Sequence, residues 1–69
     1  MSIGEKIREI RISKGMTQKE LADKINISDK TISKWETRKG LPDIGIIEEL
    51  AKALSVSVAE LLTGDFNMK

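Results

Sequence analysis

Apolar residues return along this chain every three or four positions, and polar punctuation cuts the pattern into five pieces. Ile3, Ile7 and Ile10 fall on one helical face, and Ser2 with Glu5 has the spacing of a capping box at its start. Gly15 is placed to end that helix in the left-handed conformation. Thr17 and Glu20 form a second capping box, with Met16 and Leu21 at the spacing of a hydrophobic staple. This helix carries Leu21, Ala22 and Ile25 and stops near Asn26, a residue that tolerates a positive φ. Ser28 opens a third helix, residues 28–37, in which Ile32 and Trp35 share the inward face. Residues 38–42 read as a loop that holds the single proline. Asp43 caps a fourth helix with a stripe of Ile44, Ile47, Leu50, Ala51 and Leu54. Ser57 and Glu60 make a third capping box, and Val56 with Leu61 the matching staple. The fifth helix is expected to end at Gly64.

No strand alternation or internal repeat interrupts this pattern. It predicts an all-α fold: a compact bundle of five short helices. The expected core is Ile7, Ile10, Leu21, Ile25, Ile32, Trp35, Ile47, Leu50, Leu54, Leu61 and Leu62. Residues 1–64 form the domain, and residues 65–69 a tail or the start of a linker.

The second and third helices are the informative pair. They are short and separated by three or four residues, the geometry of a helix-turn-helix over residues 17–37. Ala22 is small where the two helices should cross closely. Asn26 stands where the turn needs a positive φ. Ile32 and Trp35 point inward, so helical spacing turns Asp29, Lys30, Ser33 and Lys34 outward.

The run from Ile7 through Glu36, IREIRISKGMTQKELADKINISDKTISKWE, resembles the lambda-repressor-like, Cro and XRE family of helix-turn-helix regulators. The later segments LPDI and LAKALSVSVAELLTG are similar to the fourth and fifth helices of that family, so the resemblance covers about residues 3–64. It implies sequence-specific binding of double-stranded DNA by a transcriptional regulator, with repression as the expected mode. The implied partner is a two-fold operator bound by a homodimer. The third helix then docks in the major groove. Lys30 and Lys34 can donate to guanine, Asp29 can accept from cytosine, and Ser33 can do either. Thr17, Gln18, Ser28 and Thr31 are expected at phosphates, beside two helix N-termini. Arg38 and Lys39 suit the flanking backbone. The family also implies a structural ion pair between Arg11 and Glu36. Leu61, Leu62 and Phe66 are candidate dimer-interface residues.

Charge agrees once it is divided along the chain. The net charge is only +1. Residues 1–40 hold ten basic and six acidic side chains, while residues 41–69 hold two and five. The helix-turn-helix half is therefore +4 and the remainder −3. His, Cys and Tyr are absent. That removes imidazole and thiol catalysis and the usual zinc ligands, so neither an enzyme nor a metal or cofactor protein is expected. A stacking platform for single strands is missing too, with one Trp and one Phe in the whole chain. No small-molecule site is evident. No stretch approaches the ~20 apolar residues a membrane span needs, and no secretory signal pattern is visible, so a cytoplasmic, nucleoid-associated location is expected. The competing reading is a protein-interaction or antitoxin-type module on the same fold, or the DNA-binding fragment of a larger regulator. An interaction-only third helix would not need the outward cations Lys30 and Lys34.

Overall fold

Each helix opens on the cap that the sequence places there. The computed structural model describes the backbone of residues 2–66 and the side chains of residues 2–62. The elements are α1 (Ile3–Ser13), α2 (Gln18–Lys24), α3 (Asp29–Glu36), α4 (Ile44–Leu54) and α5 (Val58–Phe66). In α1 the Ser2 hydroxyl accepts the Glu5 N–H at 3.2 Å, and the Glu5 carboxylate accepts the Ser2 N–H at 3.0 Å. Thr17 with Glu20 closes the same reciprocal pair on α2, at 2.8 and 3.0 Å. Ser57 with Glu60 does so on α5, at 2.9 and 3.0 Å. Ser28 accepts from the Lys30 N–H, and Asp43 from the Ile46 N–H. These bonds satisfy N–H groups that have no partner inside a helix, each worth about 1 kcal/mol.

Four helices end alike. A residue with positive φ follows the last turn: Gly15 at 73°, Asn26 at 58°, Arg38 at 65° and Ser55 at 59°. The next N–H reaches back to a carbonyl five residues earlier: Met16 to Arg11, Ile27 to Ala22, Lys39 to Lys34 and Val56 to Ala51. This is the Schellman ending, which satisfies the last carbonyls and turns the chain sharply. Gly15 and Asn26 are legible as such endings. Arg38 and Ser55 are not, because neither residue type favours that conformation.

Helix α3 packs against both α1 and α2, and α5 against α1 and α4. The fully buried large side chains are Ile7, Leu21, Ile32, Leu50, Leu54 and Leu61. Ile3, Ala22, Trp35 and Ala51 complete the buried core. Ile10, Ile25, Ile47 and Leu62 pack at its edge rather than at its centre. Ile44 departs from the expected stripe and is 77% exposed. It is the first residue of α4 and overhangs the core, while Pro42 is buried just before it. The first α4 side chains to reach the core are Ile46 and Ile47.

Two further expectations change at α5. The helix runs past Gly64 to Phe66, so only residues 67–69 of the expected tail lie wholly outside the described residues. A glycine costs a helix only about 1 kcal/mol and does not by itself stop one. Leu61 is 0% exposed within the single chain, so it belongs to the core and is not available to a dimer interface. Leu62 is half-buried, and the side chain of Phe66 lies outside the described residues.

Candidate nucleic-acid interface

The turn between α2 and α3 fixes the pose of the third helix. Asn26 takes the left-handed conformation, and the Ile27 N–H bonds back to Ala22 at 3.0 Å. Ala22 is buried where the helices meet, with Leu21 and Ile32 beside it in the core.

A polar clamp ties the far end of α3 to both other helices. The Arg11 guanidinium grips Glu36 with two bonds, Nε to Oε2 at 2.7 Å and Nη2 to Oε1 at 3.0 Å. Its remaining Nη1 donates to the Met16 carbonyl at 2.7 Å. Gln18 Nε2 donates to the same Glu36 Oε1 at 3.1 Å. The Glu36 side chain is 2% exposed and that of Arg11 10%. One carboxylate thus joins the last turn of α1, the first residue of α2 and the last residue of α3. A buried pair of this kind holds geometry more reliably than it adds stability. The resemblance implies the pair and a bracing role for Gln18. Their common oxygen on Glu36 is visible only in three dimensions.

The outer face of α3 is chemically idle within the protein. Asp29, Lys30 and Lys34 are exposed and Ser33 is half-exposed. Among the described residues, no side-chain hydrogen bond or ion pair within the chain uses any of these four. Asp29 sits in the first turn, where a carboxylate also favours the positive end of the helix.

The rim residues divide differently. Thr17 and Ser28 accept cap bonds through their hydroxyl oxygens, which leaves each O–H free to donate outward. Gln18 keeps a second N–H, because one proton serves Glu36. Thr31 is half-buried and Lys39 exposed. Arg38 is not idle: its Nη2 donates to Glu5 Oε2 at 2.7 Å, across from α1. Glu5 is held below its ordinary value of 4.5, first by the Ser2 N–H and then by Arg38.

Sequence reasoning missed Gly4. A Cβ at that position would overlap the Trp35 carbonyl oxygen, so α1 crosses the end of α3 backbone against backbone. The available signal was a glycine inside a helical stripe, a costly choice that a close backbone approach explains.

A family description, helix-turn-helix, matches residues 7–61. The HTH-type transcriptional activator BcrR of Enterococcus faecalis is 38% identical over 65 residues, which is 94% of this chain and 32% of that protein. The HTH-type transcriptional regulator ImmR of Bacillus subtilis is 37% identical over 65 residues, 94% of this chain and 51% of that protein. The chain therefore spans about a third and about half of the length of these two curated relatives. Among solved structures, the clp gene regulator ClgR from C. glutamicum matches with a TM-score of 0.85 at 27% identity, covering 97% of this chain and 91% of that one.

Proposed function

Because the chain belongs to the helix-turn-helix family of DNA-binding transcriptional regulators, we propose that it binds a specific double-stranded operator by laying α3 in the major groove. The observation that carries this reading is the idle outer face of α3, set on a helix whose other side is clamped at both ends. Lys30 and Lys34 donate to guanine edges, and Ser33 and Asp29 add smaller contributions. Asp29 ranks last, since a carboxylate opposes the approach of phosphates. Thr17, Gln18, Ser28 and Thr31 hold one backbone strand, and Arg38 and Lys39 the other rim. Two copies on a two-fold operator would place their third helices roughly 34 Å apart.

No catalytic step belongs to this function. Regulation works by occupancy inside the cell, on the nucleoid. An operator overlapping a promoter gives repression. A relative named as an activator fits the same docking beside a promoter.

Selection from random duplexes, followed by salt titration of the enriched sequence, tests the reading. Lys30→Ala and Lys34→Ala should each cost about 1–3 kcal/mol on the selected duplex and relax one base position. Lys39→Ala should weaken selected and random duplexes alike and lower the salt slope by about 1. Equal losses on both duplexes for all three variants would overturn the base-reading roles. Absence of enrichment at moderate salt would favour the protein-interaction module.

A further inference from the structure

Arg38 differs from every other cation near α3. Its backbone is fixed by the left-handed ending of the helix, so the side chain departs from a set point. Its guanidinium meets Glu5 Oε2 at 2.7 Å, a contact across 33 positions of chain. Glu5 is held in turn, because its Oε1 accepts the Ser2 N–H at 3.0 Å in the capping box. The cap uses one carboxylate oxygen and leaves the other for Arg38. The two side chains are 61% and 43% exposed, so solvent and solutes reach the pair. Cap and guanidinium together favour the ionised carboxylate. A carboxylate offers a guanidinium the same charge and the same forked acceptor geometry as a DNA phosphate.

We propose that Glu5 is an internal competitor for the phosphate contact of Arg38. In the free protein the carboxylate occupies the guanidinium, and a duplex must draw Arg38 away from it. This rests on reading Arg38 as a phosphate contact. Glu5 thereby lowers affinity for all duplexes by a similar factor and leaves base preference untouched. It also subtracts charge from the rim that faces the polyanion.

The experiment compares the full chain with Glu5→Gln, Arg38→Ala and the double variant, on a selected and a random duplex. Glutamine at the third helical position keeps the capping acceptor, so α1 retains its start. Glu5→Gln should tighten binding to both duplexes about two- to fivefold, the range an exposed ion pair supports. Its salt dependence should steepen by up to about 0.9, as for one more neutralised phosphate. In the Arg38→Ala background the same change should give a clearly smaller gain, the part owed to the lost negative charge alone. In the unmodified chain, the Glu5 carboxyl carbon resonance should move as a short duplex saturates. No gain from Glu5→Gln, an equal gain without Arg38, or a Glu5 resonance unmoved by DNA overturns the competition while DNA binding itself stands. Loss of all salt-dependent duplex binding in the unmodified chain overturns the competition together with the reading beneath it.

Discussion

Ser55 carries a cost that another residue would not. It adopts a φ of 59° at the end of α4, with its N–H bonded back to Lys52 at 3.1 Å. The left-handed region disfavours any residue with a Cβ, and the Ser55 side chain is exposed. Ser55→Gly should therefore raise stability by about 0.5–1 kcal/mol in urea unfolding, after the entropy glycine loses on folding is deducted. Gly4 predicts the opposite sign. Gly4→Ala gains helix propensity, yet its Cβ meets the Trp35 carbonyl, which is backbone and cannot swing aside. We expect a net loss of about 1–3 kcal/mol, read from the same denaturation curves.

At the scale of elements, the five helix starts were legible in the sequence because a cap is a contract among residues two or three apart. Ser2–Glu5, Thr17–Glu20 and Ser57–Glu60 are each visible in four letters. The outward set on α3 was legible for a similar reason, since helical spacing needs only the inward positions Ile32 and Trp35. What stayed hidden depends on residues far apart. Nothing local distinguishes Arg38, which meets Glu5, from Lys39. Nothing local says that Ile44 overhangs the core while Leu61 fills it. The clamp between elements yields a prediction of its own. Glu36→Gln leaves the Arg11 guanidinium buried without its counter-charge, which should cost about 3–5 kcal/mol. A domain of this size has little more than that in total, so circular dichroism should show largely unfolded chain at room temperature. Replacing both partners, Arg11→Met with Glu36→Leu, should recover most of the helical signal.

For the whole molecule, the informative charge is its distribution. A total of +1 divides into a basic helix-turn-helix half and an acidic remainder. A weak overall field favours seated contacts over indiscriminate attraction to polyanions. The absence of His and Cys leaves no side chain whose ordinary pKa lies between about 5 and 8. Stability and DNA affinity should stay level across that interval. At lower pH Glu5 contributes. The folded chain holds Glu5 below 4.5, so its contribution is present above that value and fades as pH falls through its lowered pKa. Thermal unfolding between pH 5 and 3 should decline less steeply for Glu5→Gln than for the unmodified chain.

The division of labour on α3 reaches beyond any one operator. Arg11, Gln18 and Glu36 hold the frame, and the side chains of Lys30, Ser33 and Lys34 take no part in it. If those three read the bases as proposed, exchanging them would rewrite the recognised sequence at almost no expense in folding. A lineage built on this scaffold can drift from one target to another through folded intermediates, and an engineer can follow the same route.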